Sequence, residues 1–173
     1  MASGDAEPAA DVEAVGLVRS PPERVFEFLS DLRNHWRVAD PFVEVITLES
    51  SGDGPPDGGT VAVRGPFGLR RTAHTIVVAS RPPRLMIGTA EIGSRTRARV
   101  SWTLAGRLGD TRVRLAAEID RASALDRLLL ALGGRWWLRR RFAHALERLD
   151  RYLSGVAPVD RTGHDHVPAE RPA

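Results

Sequence analysis

The sequence has no cysteine, and all 25 of its basic residues are arginine. Without cysteine the chain cannot form disulfides, thiolate metal sites or a cysteine nucleophile. Without lysine it has no Schiff-base chemistry and no lysine general base. Long apolar runs are missing too, because the longest one near the C-terminus, residues 128–134, is far shorter than the roughly 20 residues of a membrane span. These absences exclude several classes of enzyme and of membrane protein.

The N-terminal segment lacks the features of a secretion signal. Residues 1–12 contain Asp5, Glu7 and Asp11, and they have neither a basic region nor an apolar core. We therefore expect a cytoplasmic protein.

Length and composition predict one domain between two disordered tails. A chain of 173 residues with 42% hydrophobic residues can bury one substantial core, but it is short for two ordinary domains. Residues 1–11 and 154–173 are rich in Ala, Pro, Gly and charge and show no apolar period, which is typical of disorder. We expect the folded domain to span residues 12–153.

The net charge of +3 is unevenly distributed. Residues 12–94 carry 9 Arg and 10 acidic residues, whereas residues 95–153 carry 14 Arg and 6 acidic residues. The C-terminal part of the domain is therefore strongly basic, and such a surface favours anionic partners.

A helix start is the clearest local signal. Ser20 is a good N-cap, Pro21 suits the first helical position, and Glu23 completes a capping box. The sequence therefore predicts a helix that begins here and buries one apolar stripe, formed by Val25, Phe26, Phe28 and Leu29.

A second short helix follows at once. Ser30 and Asp31 can end the first helix and cap the next, which carries His35 and Trp36. This order, a strand and then two helices with a tryptophan at the end, resembles the START/Bet v1-like (SRPBCC) superfamily of hydrophobic-ligand-binding proteins. Its bacterial members include polyketide cyclase/dehydrase-like and lipid-transport-like proteins. The resemblance implies a cavity for a hydrophobic ligand.

Turn residues divide the next hundred residues into strands. Residues 50–59 are a Gly-, Pro- and Asp-rich loop, and the Gly65-Pro66 and Pro82-Pro83 pairs mark further turns. Spacing of this kind is typical of an antiparallel meander. The seven predicted strands are residues 12–18, 42–48, 60–64, 71–78, 85–91, 95–104 and 111–119.

The last hairpin has a predicted register. We predict that residues of the two strands face each other when their numbers sum to 215. In this register one face of the hairpin pairs apolar residues and the other pairs opposite charges, and both arrangements are favourable. This register leaves residues 106–109 as the loop. The predicted pairs are Trp102 with Val113, Val100 with Leu115, Ala98 with Ala117, Thr96 with Ile119, Arg97 with Glu118 and Arg95 with Asp120.

Two helices are predicted at the C-terminus. Ser123 and Asp126 resemble a capping box, and they open a short helix that Gly133-Gly134 interrupts. A long helix then covers residues 135–153. The resulting order, β-α-α followed by six strands and the C-terminal helices, is that of the α+β helix-grip fold. There, a seven-stranded antiparallel sheet wraps around the long C-terminal helix and leaves a cavity between them.

No local catalytic signature is present. The sequence has no nucleophile elbow, zinc-protease motif, phosphate loop or dinucleotide fingerprint. His164 and His166 lie in the C-terminal tail and are more consistent with solvated residues than with a metal site. We expect neither a metal nor another cofactor.

Three residues are candidates for catalysis in an enzyme similar to aromatase/cyclases. His74 lies in the middle of a strand, on the same face as Ile76, and can point either into the cavity or to solvent. With Arg71 and Asp31, it could polarise a carbonyl and move a proton. The sequence does not show whether these residues converge.

Large side chains from helices and strands are candidates for a cavity wall. Such a wall is typical of apolar ligand sites, but a filled core would place the same residues inside. A histidine next to a tryptophan, as at residues 35 and 36, can also lie on the surface. The candidates are Phe28, His35, Trp36, His74, Met86, Trp102, Leu138 and Phe142.

Residues 128–142 combine an apolar stripe with tryptophans and arginines. This composition is typical of a helix that lies on an anionic membrane, with Trp137, Arg139, Arg140 and Arg141 as the candidate contacts. Alternatively, the apolar stripe belongs to the core and the arginines to a solvated face. Nucleic acid is a weaker option, since no nucleic-acid motif accompanies the arginines.

The sequence favours a non-enzymatic binding or carrier protein for a hydrophobic small molecule or lipid. The alternatives are a polyketide cyclase/aromatase-like enzyme and a module that docks to a membrane or protein through its Arg- and Trp-rich C-terminal helix. The sequence does not predict the ligand or the oligomeric state.

Overall fold

One seven-stranded antiparallel sheet spans the computed structural model, which describes residues 10–39, 41–65, 68–107 and 109–155. The strand order is β1-β7-β6-β5-β4-β3-β2, so the first strand pairs with the last and the others follow in sequence. The fold is the α+β helix-grip fold that the sequence predicted. The strands are β1 (Val12–Val18), β2 (Val43–Glu49), β3 (Gly58–Arg64), β4 (Arg70–Arg81), β5 (Leu85–Ile92), β6 (Thr96–Arg107) and β7 (Asp110–Arg121).

Two short helices follow β1, and a broken helix follows β7. The first two are α1 (Pro22–Ser30) and α2 (Leu32–Ala39). After β7 come α3 (Ala124–Leu129) and α4 (Arg135–Leu153), joined by a π-helical segment, Leu130–Gly134, in which Gly133 has φ +108°. The predicted interruption at the two glycines is therefore confirmed. No helix within the described ranges is long and apolar enough to cross a membrane.

The long helix α4 packs on β1 and α2 through its buried residues Ala145, Leu146 and Leu149. Gly16 of β1 allows this approach, since a Cβ at that position would lie 3.1 Å from Leu146 Cβ. The main core therefore lies between the sheet and the α1, α2 and α4 helices, where it also includes Val18, Val25, Phe26, Leu29, Val38, Met86, Trp102, Leu104, Val113 and Leu115.

The start of α1 differs from the prediction. The N-cap residue is Pro21, and no side chain caps the helix. Because the helix begins one residue later than predicted, the Ser20 hydroxyl lies outside the capping position and has no partner. The Ser20 carbonyl accepts a hydrogen bond from Thr111 Oγ1 at 2.7 Å instead. The predicted capping box is therefore wrong.

The predicted caps of α2 and α3 are both confirmed by their hydrogen bonds. Asp31 Oδ1 accepts from the Arg33 backbone N–H at 3.0 Å, and Ser123 Oγ accepts from the Asp126 N–H at 3.1 Å. Each bond satisfies one of the free donors of a first helical turn.

The β6–β7 hairpin is shifted by two residues from the predicted register. Trp102 faces Leu115, Leu104 faces Val113 and Arg99 faces Glu118, so facing numbers sum to 217 rather than 215. The strands extend to the Arg107–Asp110 pair, which shortens the connection, and Gly109 supplies φ +90° in it. Because the error is an even number of residues, the side chains from Ala98 to Arg107 keep their predicted faces. An irregularity between Arg97 and Ala98 brings Arg97 opposite Arg121.

The predicted tails fall mostly on residues 1–9 and 156–173, which lie outside the described ranges, as do His164 and His166. Asp11, at the predicted boundary, contacts the end of the sheet. Its Oδ2 accepts from the Ile119 N–H at 2.8 Å, and its Oδ1 lies 3.4 Å from Arg135 Nη2.

Candidate functional site

An apolar cavity of about 190 Å³ lies between the inner face of the sheet and helices α2 and α4. Strand alternation explains its wall, because every second residue of β3, β4 and β5 faces inward. The small side chains of Ala73 and Ala90 leave room there. Val63, Val77 and Val100 line the cavity and are only partly buried, although they lie on the inner face. The inner face is therefore not completely filled by side chains.

Five of the eight predicted cavity residues line this space. They come from three different parts of the chain: His35 and Trp36 from α2, Met86 and Trp102 from the sheet, and Phe142 from α4. Helix α2 also contributes Leu32, Val38 and Ala39, which the sequence analysis did not identify. The apolar spacing of α2 could have indicated them, since they lie three to four residues from His35 on the same helix.

His35 is held by one hydrogen bond in the cavity wall. Its Nε2 lies 2.6 Å from the Leu29 carbonyl oxygen, and its ring packs edge-on against Trp102 with centroids 5.4 Å apart. A carbonyl oxygen only accepts, so Nε2 carries the proton. Burial lowers the pKa of His35 to about 4, against the opposing effects of the Leu29 carbonyl and the Asp31 carboxylate. The ring is therefore neutral at neutral pH.

Two other polar side chains of the wall are enclosed or already bonded. Trp36 Nε1 is enclosed and has no hydrogen-bond partner. Thr75 Oγ1 donates to the Gly59 carbonyl at 3.3 Å. Among the described lining residues, His35 is the only titratable one.

Three predicted cavity residues lie elsewhere. Phe28 stacks on Tyr152 with ring centroids 6.1 Å apart, and Leu138 is partly buried on α4 but does not line the cavity. His74 is on the outer face of β4, with a side chain that is 48% exposed and Nε2 3.5 Å from Glu49 Oε2. The prediction for His74 is wrong because Ala73 and its alternate neighbours, not His74, face inward.

The three catalytic candidates do not meet in the cavity. Asp31 forms an ion pair with Arg33 at 2.7 Å, and the hydrogen bond from that guanidinium lowers the pKa of the Asp31 carboxyl. Arg71 forms an ion pair with Asp126 of α3, and His74 lies on the outer face. The convergence that the enzyme hypothesis required of these residues is therefore not found.

Arg71 and Asp126 belong to a polar cluster that sequence reasoning did not identify. The Asp126 carboxylate also accepts hydrogen bonds from Ser123 Oγ at 2.7 Å and from Thr96 Oγ1. Thr96 and Asp126 are buried, with 7% and 8% of their surface exposed. This cluster connects α3 to β4 and β6. The cap formed by Ser123 was its only visible signal.

The exposed face of α3 and the following segment is apolar. Leu125, Leu128 and Leu132 are 51%, 55% and 64% exposed, and Trp136, after the break at Gly133, is 64% exposed. We call these four residues the leucine–tryptophan ridge. The alternative of a buried stripe is therefore wrong for these residues.

The predicted membrane contacts divide into two groups. Trp137 is partly buried, where its ring packs edge-on against Phe42 at 6.0 Å and beneath the Arg141 guanidinium at 5.2 Å. Arg139 and Arg140 are exposed, and Arg140 lies 5.8 Å from the Trp136 ring. Trp136, rather than Trp137, is therefore the exposed tryptophan, and it lies beside Arg140.

Residues 9–154 match the model of one protein family, described as polyketide cyclase/dehydrase and lipid transport. The chain belongs to this family. The match covers the whole predicted domain, and it agrees with the resemblance found in the sequence. No curated protein matches the chain significantly.

Solved structures share the fold at low sequence identity. Protein TTHA0849 from Thermus thermophilus is 16% identical, with a TM-score of 0.61 over 84% of this chain and 98% of that one. Protein Ms6760 from Mycobacterium smegmatis is 17% identical, with a TM-score of 0.60 over 82% and 88%. A START superfamily protein from Mycobacterium smegmatis is 14% identical, with a TM-score of 0.58 over 80% and 97%. The fold is therefore that of the START/Bet v1-like superfamily.

Proposed function

We propose that the protein binds a compact hydrophobic molecule in the cavity between the sheet and helices α2 and α4. The observation that carries this proposal is the unfilled apolar space of about 190 Å³. It exceeds the roughly 150 Å³ at which an engineered apolar cavity holds benzene, and it is below the ~300 Å³ of typical drug-sized sites. A molecule of one or two rings fits this range better than a two-chain lipid.

A binding or carrier role has more support than acid–base catalysis. Catalysis of the cyclase type needs at least two polar groups that converge on the ligand. None of the catalytic candidates Arg71, His74 and Asp31 joins His35 in the described wall. The family description covers both enzymes and transport proteins, so it supports either role equally.

The cavity can be tested by filling it. We expect wild-type protein to bind 2-methylnaphthalene in equilibrium dialysis, and Ala90→Leu to weaken binding by at least ~10-fold, because the added side chain occupies the cavity. Ala79→Leu is the matched control, since Ala79 is exposed on β4 and does not line the cavity. Native mass spectrometry of gently purified protein would show whether a natural ligand copurifies. Equal binding by wild type and Ala90→Leu would overturn the proposal, as would no binding by wild type.

We further propose that the leucine–tryptophan ridge docks on an anionic membrane. Its three leucines and Trp136 expose more than half of their surface, and Arg139 and Arg140 lie beside them without an acidic partner among the described residues. Exposed apolar side chains flanked by arginine are the arrangement that binds the interface of acidic lipid bilayers. A carrier with this surface could take up or deliver its ligand at the membrane.

Vesicle flotation tests the ridge. We expect wild-type protein to float with phosphatidylcholine vesicles that contain phosphatidylserine and to float less with vesicles that lack it or at high salt. Leu132→Ser should reduce flotation. Leu17→Ser is the matched control, because Leu17 is 62% exposed on β1, away from the ridge. Equal flotation of these two variants would contradict the proposal.

A further inference from the structure

The wall of the cavity offers almost no polar atoms to a ligand. Thr75 Oγ1 is bonded to the Gly59 carbonyl, and Trp36 Nε1 is enclosed without accessible surface. Thr89 also borders the cavity, but it alternates along β5 with Met86, Gly88 and Ala90, which face inward, so strand alternation turns its side chain to the outer face. The remaining polar side chain of the described wall is His35.

His35 presents an acceptor rather than a donor. The Leu29 carbonyl oxygen, 2.6 Å from Nε2, requires the proton on Nε2, and a neutral imidazole then has a lone pair on Nδ1. Nδ1 has no partner among the described residues. Unlike Trp36 Nε1, it is not one of the enclosed unpaired atoms, so it keeps accessible surface. His35 forms part of the cavity wall, so its ring borders a bound molecule.

The ring is also held in place for such a contact. Its Nε2 bond and its edge-on packing against Trp102 and Trp36, with centroids 5.4 Å and 6.3 Å away, fix its orientation. A preorganised acceptor costs a ligand less conformational entropy than a mobile one.

We propose that the natural ligand carries a hydroxyl group on a hydrophobic ring body, and that this hydroxyl donates a hydrogen bond to His35 Nδ1. The inference rests on the proposed function of the cavity and extends it to the chemical class of the ligand. An apolar wall with one acceptor discriminates in favour of such a molecule, because an analogue with a methyl group in place of the hydroxyl leaves Nδ1 unpaired. An analogue with more polar groups would leave its own groups unpaired.

The test compares two isosteric probes, 2-naphthol and 2-methylnaphthalene, by equilibrium dialysis at pH 7. The measured quantity is the ratio of their affinities, so that any change that affects the binding of both probes equally cancels. In His35→Gln the side-chain amide can still donate to the Leu29 carbonyl, and the ring acceptor Nδ1 is exchanged for an amide oxygen with a different geometry, whereas His35→Phe keeps a ring and has no acceptor. We expect the ratio to fall at least ~5-fold in His35→Phe relative to wild type. His74→Gln replaces a histidine on the outer face and should keep the wild-type ratio.

Each outcome decides one question. An unchanged ratio in His35→Phe, with both probes bound, would overturn the hydroxyl inference and leave the cavity function standing. If wild type bound neither probe, the proposed function would fail and the inference with it. A ratio lowered equally in His74→Gln would also overturn it, because His74 does not contact the cavity. His35→Gln provides a second variant, which keeps a donor to the Leu29 carbonyl if His35→Phe does not fold.

Discussion

At the scale of single residues, His35 links the solution pH to the stability of the fold. Burial lowers its pKa from 6.5 to about 4, so the folded state keeps the ring neutral while the unfolded chain takes up a proton near pH 6.5. The unfolded state then binds more protons than the folded state between these values. The stability that the neutral ring contributes is therefore complete above pH 6.5, and it is lost as the pH falls towards 4.

We predict that the free energy of unfolding falls by up to about 3 kcal/mol between pH 7 and pH 4 through His35 alone. Urea unfolding of wild type and His35→Gln over this range measures the effect as a difference in slope. Carboxylates with lowered pKa values, such as Asp31 and Asp150, lose their contribution only at lower pH. Identical slopes for wild type and His35→Gln would refute this prediction.

Single residues were also where sequence reasoning was least reliable. The helix that carries His35 was predicted, and so was the place of His35 at the cavity. The Leu29 contact and the free Nδ1 depend on how α1 and α2 pack together, which no local pattern encodes. His74 was misplaced because apolar residues occupy both faces of β4, so that hydrophobic alternation does not distinguish inside from outside.

At the scale of elements, α3 depends on one buried carboxylate. Asp126 receives hydrogen bonds from Ser123 and Thr96 and forms an ion pair with Arg71 of β4. Removing one partner of such a pair leaves the other charge without compensation, and this is costly when the pair is mostly buried. The short α3 helix has few other attachments, since its Leu125 and Leu128 face solvent.

We predict that Asp126→Ala lowers the free energy of unfolding by about 3 kcal/mol, as measured by urea denaturation. The matched control is Glu91→Ala, which breaks the ion pair with Arg97 where both side chains are about half exposed. An exposed pair of this kind contributes no more than about 1 kcal/mol. If both variants lose the same small amount, the cluster does not anchor α3.

The π-helical segment between α3 and α4 gives a second test. Gly133 has φ +108°, and a Cβ there would meet nothing within 4 Å. Any loss of stability in Gly133→Ala would therefore come from backbone strain, and we predict about 1 kcal/mol. Thermal unfolding measures it, and Gly52→Ala, in an exposed loop with ordinary φ, should be neutral. A neutral Gly133→Ala would show that the segment can adopt another backbone conformation.

Elements themselves were largely predictable, because their signals are local. Caps at Asp31 and Ser123, and the break at Gly133-Gly134, depend on residues a few positions apart. The β6–β7 register was harder, since both the predicted alignment and the observed one pair apolar residues on one face and place an arginine opposite Glu118 on the other. The short connection at Gly109 decides between them. The ridge was ambiguous for a related reason: apolar spacing shows that a helix has one apolar face, but not what lies against it.

At the scale of the whole molecule, the stability of the protein depends on whether the cavity is occupied. A ligand that binds only the folded state stabilises it in proportion to the logarithm of its concentration over its dissociation constant. An unfilled space also forgoes packing contacts that a filled core would make. A larger side chain that fills the cavity should therefore supply the packing contacts that a ligand would make and remove the stabilisation by added ligand.

We predict that 2-naphthol at 100 times its dissociation constant raises the free energy of unfolding of wild type by about 2.7 kcal/mol. Thermal unfolding of Ala90→Leu should show little ligand-dependent shift, while Ala79→Leu shifts as wild type does. A wild-type transition that does not move with saturating ligand would mean that the probe binds the unfolded chain as well as the folded one. An equal shift in wild type and Ala90→Leu would mean that the probe binds outside the cavity.

The close packing of β1 against α4 has a consequence for ligand size. Gly16 lies on β1, away from the cavity, yet its missing side chain sets how near Leu146 approaches the sheet. Phe142 and Ala145, on the same helix, form part of the cavity wall. A residue larger than glycine at position 16 would move α4 away from the sheet and enlarge the cavity. Selection for a bulkier ligand could therefore act at a position that the ligand never contacts.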